Sequence, residues 1–343
     1  MPVSYKRSIT TKKEEAKVYL RKGFITPSVP FAERWFIKMK LINNIKKNKN
    51  LIYICHKIYE EYYSMLTLIS PKINTKVRYK HVYGKSLNLE NPQTLVEKLL
   101  WLKLNEYMNN PLVIQCADKY RVREYVKTCG CSELLNELYG VYDNSKEIPW
   151  ANLPEQFVLK WNFGAGMNII CKSKKNLQIQ KCMKQLDKWG KSKYWLPHAE
   201  MQYKYIRKKI ICEKFLESVD EPGEIPDYKV YCFHGEPMAI LVMHDRGHEL
   251  KTEFFDTDWC SLKNTEKYIS VDKPTPKPKC LAEMLNASRC LSNPFPFVRC
   301  DFYVIDGRLY FGELTFTPAG GLYLSQTKID GKEMTEYLHV PYH

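Results

Sequence analysis

Nowhere does this sequence run the roughly 20 uninterrupted apolar residues that a bilayer-spanning helix needs. The best candidate, Leu51 to Ile69, is broken by His56, Lys57, Glu60 and Glu61, so any membrane contact would be peripheral. The basic start is not followed by an apolar segment, and a secretory signal peptide is not expected. Among 12 cysteines there is no CxxC pair. The closest two, Cys129 and Cys131, have a one-residue gap that is not a usual zinc spacing. Cys171, Cys212, Cys232 and Cys300 sit in apolar runs, where free cysteine behaves as a small buried hydrophobe; a reduced, cytoplasmic protein follows. HExxH, Gly-x-Ser-x-Gly and Walker A patterns are also missing, which removes the zinc proteases, the hydrolases with a nucleophile elbow and the P-loop enzymes. There are no internal repeats and no low-complexity tracts.

Acidic residues are scarce at one end. Residues 1–80 hold 18 Lys/Arg against 5 Asp/Glu, a net of +13 out of +15 for all 343 residues. The basicity therefore belongs to an N-terminal arm that could meet anionic lipid, an acidic polymer or nucleic acid, while the remaining body is nearly neutral. Between Phe36 and Ile69 the apolar spacing suggests two amphipathic helices separated by the polar run Asn43–Asn50. These could pack on the body or lie on a membrane surface.

What is present is an α+β pattern. Asn91-Pro92 and Thr94, with Glu97 in the first turn, open a helix to Leu104, with Trp101 and Leu104 expected toward the core. Asp118 is expected to cap a second helix to Val126, with Arg121 and Arg123 near its N-terminus, where a negative ligand would suit them. Strands follow: Gln156–Lys160, Asn168–Cys171 and Ile210–Leu216, with a basic helix Lys181–Trp189 between the last two. Asp227 to Gly235 and Met238 to Met243 form a hairpin.

The most informative stretch is Phe297 to Gly321. Alternating apolar residues, an Asp306-Gly307 turn and a second strand make a β-hairpin that can bring Asp301 and Glu313 side by side. Thr315 shares the strand face of Glu313. Two carboxylates and a hydroxyl next to Arg299 suit Mg²⁺ held against phosphates, because that ion prefers hard oxygen ligands; an ordinary hairpin with solvated acids is the alternative. Lys160 ends a strand before Gly164-Ala165-Gly166, where a point charge and backbone N–H groups could close on phosphates, or the segment could be a plain turn. Glu213 to Leu216, through Phe215, could read an adenine edge, Asp227 could take ribose hydroxyls, and Lys229 shares the face of Asp227. Asp256-Thr257-Asp258 has the Asp-x-Asp form in which nucleotide-sugar glycosyltransferases hold a metal, and also the form of a simple turn.

In combination these pieces resemble the ATP-grasp superfamily, and its TupA-like branch from bacterial surface-polysaccharide clusters. The resemblance is carried by Asn91 to Leu104, Ala117 to Val126, Asp227 to Gly235 and Glu313 to Pro318, and covers roughly residues 71–325. It implies two α+β subdomains clasping ATP: 151–216 with the glycine loop and hinge, and 217–343 with the metal site. A helical part, 88–150, precedes them, and 1–87 forms a basic helical extension. Residue by residue, it implies that Arg123 and Lys160 contact ATP phosphates, with Gly164 and Gly166 in the loop. Glu213, Phe215 and Leu216 would be the adenine hinge and Asp227 the ribose acid. Asp301 and Glu313, with Thr315 where many relatives have asparagine, would be the Mg²⁺ ligands. Arg299 and Lys229 would serve the reaction itself. The implied activity is an ADP-forming carboxylate–amine ligase joining an amino acid or other amine to a hexuronic acid of a capsular or cell-wall glycan, or of a lipid-linked sugar. Its expected place is the cytoplasm, at the inner face of the membrane, with no nucleic-acid partner. The rival activity is a glycosyltransferase using Asp256 and Asp258; a third reading is a non-catalytic membrane- or polymer-binding protein.

Overall fold

The computed structural model describes residues 49–218, 225–244, 251–262, 274–324 and 326–341. The chain divides into a unit Met1–Tyr59 and a unit Glu60–His343. The described part of the first unit is the beginning of helix α1 (Lys49–Ile69). The helix expected before Asn43 lies outside the described residues.

The second unit continues with α2 (Pro71–Tyr83), α3 (Leu95–Asn105), α4 (Pro111–Ala117) and α5 (Val122–Thr128). Their boundaries follow from local chemistry. Gly84 takes the left-handed conformation, φ +70°, that closes α2 and favours glycine. Thr94 and Glu97 form the expected capping box: the Glu97 N–H donates to Thr94 Oγ1 at 3.2 Å and the Thr94 N–H donates to Glu97 Oε2 at 3.1 Å. Trp101 is half-buried and packs against the main core as expected, whereas Leu104, also half-buried, is not part of it; the buried stripe of α3 is Leu95, Val96, Glu97, Leu99, Leu100, Leu102 and Lys103. The helix expected from Asp118 also starts later. Asp118 Oδ1 accepts the N–H groups of Tyr120 and Arg121 at 2.8 and 3.1 Å, closing a turn before the helix begins at Val122.

Two larger antiparallel sheets carry most of the rest, beside a two-stranded ribbon of Lys328–Ile329 and Lys332–Glu333 among the described residues. The first has the order β1 (Leu138–Tyr142), β4 (Ile210–Lys214), β2 (Phe157–Trp161), β3 (Asn168–Cys171), with α6 (Ile179–Gly190) and α7 (Trp195–His198) between β3 and β4. The second has the order β10 (Arg308–Thr315), β9 (Phe297–Ile305), β5 (Asp227–Phe233), β6 (Glu236–His244), β7 (Lys251–Phe255), β8 (Ser261–Leu262). Helix α8 (Leu281–Ser292) packs on β5, β6 and β9. Strand alternation puts Val230, Cys300 and Phe302 on one face of this sheet, all fully buried, and Lys229, Arg299 and Asp301 on the other. Each fully buried Phe or Leu contributes about 1.5–3 kcal/mol, enough for one wall to anchor a sheet whose other wall is charged.

Candidate active site

The hairpin β9–β10 turns at Asp306 and Gly307, both left-handed at φ +49° and +78°, the two-residue turn that an Asp-Gly pair favours. Regular pairing from that turn would set Gly312 opposite Asp301 and leave Glu313 on the other face. The register instead shifts between Phe311 and Glu313, and Glu313 faces Asp301 directly. This bulge needs glycine: a Cβ on Gly312 would lie 2.9 Å from the Asp301 carbonyl oxygen. Strand β5 lies on the far side of β9 with Lys229 opposite Asp301. Lys229, Asp301 and Glu313 thus form one row across three strands, and Tyr231, Arg299 and Thr315 form the next row on the same face.

Asp301 is the centre of this row. Arg299 grips it with both arms, Nε to Oδ1 at 2.7 Å and Nη2 to Oδ2 at 2.6 Å, while Lys229 Nζ donates to Oδ2 at 2.8 Å and to Asp227 Oδ2 at 2.7 Å. Burial alone would raise the Asp301 pKa. Arg299 and Lys229 outweigh it and hold the carboxyl below the usual carboxylate range. The same contact raises the Arg299 pKa against its own burial. Asp227 and Lys229 are 3% and 2% exposed at the side chain, so they are a buried ion pair supporting Asp301. Glu313 is the open member, 37% exposed. Its pKa is lowered although burial pulls it up, chiefly because Lys119 Nζ stands 3.3 Å away. Thr315 Oγ1 lies 3.4 Å from both Glu313 Oε1 and Arg299 Nη2.

Lys119 was not among the candidates read from the sequence, although the Asp118-Lys119 pair was in plain view. Its Nζ also donates to the Gly164 carbonyl, so one cation joins the glycine loop after β2 to the Glu313 carboxylate of β10. The turn behind it is fixed by fully buried Asn162, whose Nδ2 donates to Asp118 Oδ1 at 2.8 Å and to the Arg207 carbonyl at 3.0 Å. Gly164 and Gly166 are left-handed at φ +67° and +73°, and Gly164 lies against the Tyr194 ring, where a Cβ would come within 2.7 Å. This backbone turns its N–H groups in a way only glycine allows cheaply.

The first sheet supplies a second cluster. Glu213 on β4 lies diagonally across from Lys160 on β2, and the two make an ion pair at 2.6 Å. Arg123 reaches the other oxygen of Glu213 at 3.3 Å and donates through Nη2 to the Asn136 carbonyl at 2.8 Å, so a carboxylate of β4 is the negative partner that this arginine near the start of α5 meets. Phe215 and Leu216 follow β4 half-buried, with Lys172 Nζ 5.5 Å from the Phe215 ring centre. Asp256 and Asp258 lie apart from both clusters, in the β7–β8 turn. Asp256 Oδ1 accepts the N–H groups of Asp258 and Cys260 at 2.9 and 2.7 Å, and so closes its own turn.

The donor set fits a hard divalent cation beside a polyphosphate. Asp301 and Glu313 are held ionised, Thr315 adds a hydroxyl, and the five cations Arg123, Lys119, Lys160, Lys229 and Arg299 outnumber the four acids Asp227, Glu213, Asp301 and Glu313. Among the described residues no three His, Cys, Asp or Glu side chains gather into a metal cage; two carboxylates completed by phosphate oxygens and water is the usual Mg²⁺ arrangement.

Comparison with solved structures gives partial likenesses. A D-alanine–D-alanine ligase from Bacillus anthracis complexed with ATP is 14% identical, over 59% of this chain and 54% of that chain, with a TM-score of 0.34. An L-amino acid ligase from Bacillus licheniformis is 12% identical, over 65% and 49%, with a TM-score of 0.37. The ADP complex of N5-carboxyaminoimidazole ribonucleotide synthetase is 13% identical, over 63% and 49%, with a TM-score of 0.38. The chain spans about half the length of these proteins. No curated protein matches by sequence. The TupA-like ATP-grasp family model matches residues 97–338, well over half of the chain and all of both charged clusters. This chain belongs to the TupA-like ATP-grasp family.

Proposed function

We propose that the protein is an ATP- and Mg²⁺-dependent, ADP-forming ligase that joins an amine to a hexuronic acid of a surface polysaccharide. The observation that carries this reading is the row Lys229, Asp301, Glu313, linked by Lys119 to the glycine loop after Lys160. In this reading 151–216 and 217–343 are the two halves that close on ATP, 88–150 is the helical lead-in, and 1–87 is an extension.

Asp301, Glu313 and Thr315 would hold Mg²⁺, which supplies charge neutralisation on the transferring phosphoryl group. Lys160, Arg123 and Lys119 bind and orient the phosphates, and Glu213 to Leu216 line the base. One oxygen of the uronate attacks the γ-phosphorus, the bond to the β-phosphate oxygen breaks, and ADP leaves. The amine then adds to the acyl carbon, loses a proton, and phosphate departs with the oxygen it received. Arg299, half-buried and permanently charged, stabilises the negative charge that grows on the acyl oxygen. Asp227 and Lys229 keep that guanidinium and Asp301 in place.

The arm bears on location. It carries +13 of the +15 net charge, and on α1 Met65, Leu68 and Ile69 are 66%, 66% and 71% exposed, which supports contact with an anionic membrane where lipid-linked glycan is built. Among the described residues no helix is long and apolar enough to cross a bilayer.

The test is incubation with ATP, Mg²⁺ and a panel of uronic acids and amines, following ADP, AMP and phosphate. Uronate- and amine-dependent ADP formation is expected, unchanged in a double variant Asp256→Asn, Asp258→Asn. Sugar transfer from a nucleotide sugar without ATP consumption, lost in that double variant, would replace this reading.

A further inference from the structure

A groove of about 560 Å³ opens between the start of α2, the segment 86–90 and the outer face of α3. Trp101, Leu104 and Asn105 line it from α3, Lys72 and Lys76 from α2, and Asn88 and Glu90 from the connecting segment. None of these residues belongs to the clusters above. Trp101 and Leu104 give an apolar wall that is only half-buried, with Trp101 packed on the core from one side and bordering the groove from the other. Lys72 and Lys76 stand one helical turn apart on the same side of α2, exposed and, among the described residues, in no ion pair.

Helix α3 ties the groove to the active site. On its opposite face Lys103 Nζ donates to the carbonyls of His198 at 2.8 Å and Gly320 at 3.3 Å. Leu100 packs with Leu322, Tyr79 and Leu87 in a small separate core. Gly321 sits so close to Leu100 that a Cβ would approach its Cδ2 to 3.1 Å. The segment 317–322, which follows Glu313 and Thr315, is therefore fastened to the same helix whose other side walls the groove.

We propose that this groove is a distal subsite for an acidic oligosaccharide, with a pyranose ring on Trp101 and a uronate carboxylate on Lys72 and Lys76. The proposal rests on the uronate-ligase reading above. A pyranose has an apolar C–H face and a hydroxylated rim. It matches a wall in which an indole is flanked by the amides of Asn88 and Asn105 and the carboxylate of Glu90. A bare inorganic anion or a polyphosphate would make no use of the indole, whereas a uronate sugar uses both the indole and the two lysines. The groove has the size of an ordinary small-ligand site, roughly 300–1,000 Å³. An oligomer can stack one ring on Trp101 while a neighbouring unit's carboxylate meets Lys72 and Lys76, so the subsite favours oligomers over a single sugar.

Calorimetry separates the possibilities. The full-length protein is titrated with tetragalacturonate, galacturonate, maltotetraose and, separately, ATP with Mg²⁺. Tetragalacturonate should bind more tightly than either other sugar, and less so as salt rises. The double variant Lys72→Gln, Lys76→Gln should lose roughly tenfold in that affinity, the scale of two exposed charge contacts, with ATP binding unchanged. Trp101→Ala should also weaken the oligomer and Trp101→Phe should recover part of it; a melting curve checks that each is folded. Binding of tetragalacturonate no tighter than maltotetraose, or unchanged in the lysine variant, overturns the subsite. So does binding to anionic vesicles that the lysine variant abolishes while no uronate binds. Loss of ATP binding by the parent protein with intact uronate binding would instead sink the ligase reading and leave the subsite standing.

Discussion

Replacing Asp301 with asparagine does two things at once, because in the proposed reading this side chain is a Mg²⁺ ligand, and it also holds the Arg299 fork through Nε at 2.7 Å and Nη2 at 2.6 Å. Removing its charge leaves Lys229 and Arg299 buried around a neutral amide, a loss of about 3–5 kcal/mol of stability for one broken partner of a buried ion pair. Asp301→Asn should therefore lower the melting temperature as well as turnover. Glu313→Gln separates the two effects. Glu313 is 37% exposed and contacts the solvent-accessible end of the row, so the variant should melt like the parent and lose Mg²⁺-supported turnover by on the order of 100-fold or more. Normal turnover in a folded Glu313→Gln protein would remove the carboxylate pair from the chemistry. Lys160→Ala should weaken ATP by about 1.5–3 kcal/mol if the amine makes one charge-assisted contact. Arg123 keeps Glu213 paired in that variant, so the strand should hold. An unchanged ATP affinity by calorimetry would assign Lys160 to its ion pair alone.

Strand β10 depends on a single residue for its function. Without the bulge, Glu313 would pair with Cys300 and point away from Asp301. Gly312→Ala puts a methyl group 2.9 Å from the Asp301 carbonyl oxygen and 3.3 Å from the Tyr303 ring. The strand must then shift, at a cost of about 1–3 kcal/mol typical of overpacking. The expected result is a modest loss of stability with a larger loss of Mg²⁺ affinity in the presence of nucleotide. Equal losses in a Leu309→Ala control, which lies on the same strand away from the bulge, would show that the effect is general weakening of the hairpin.

The body of the protein should also show a basic-side pH dependence with an identifiable source. Lys103 is wholly enclosed, and burial lowers its pKa to about 8, with Glu200 pulling the other way. Between about pH 8 and the ordinary lysine value the unfolded chain holds a proton that the folded protein does not, so stability rises with pH through that window. Below it both states are protonated and the slope vanishes. Buried Tyr107 and Tyr203 act in the opposite sense above pH 10, since burial raises their pKa values and the unfolded chain ionises first. The buried thiols of Cys116, Cys131, Cys212 and Cys300, whose pKa values burial raises, pull the slope the other way as the unfolded chain's thiols ionise. The lysine is therefore read as a difference: urea unfolding at pH 8 and 9.5 should give a less positive (or more negative) change for Lys103→Met than for the parent protein. An equal slope in both would place the titration elsewhere.

Much of this was legible in the residues. The Asp306-Gly307 turn, the Thr94–Glu97 capping box and the strands around Lys160 and Asp227 follow from short-range rules of φ, hydrogen-bond donors and alternation, and they appear where those rules put them. The same local order supported the family resemblance that the match over 97–338 bears out. Local rules could not say that Gly312 is skipped in the register, because a bulge is decided by what lies across the strand. Nor could they pick Lys119, whose importance comes from two partners 45 and 194 positions away in the chain, Gly164 and Glu313. The spacing on α3 put Trp101 toward the core, and its ring does pack there, half-buried. That the same ring also walls a groove depends on where α2 and the segment 86–90 stop covering the helix, which is set by long-range packing that the pattern of one helix does not carry.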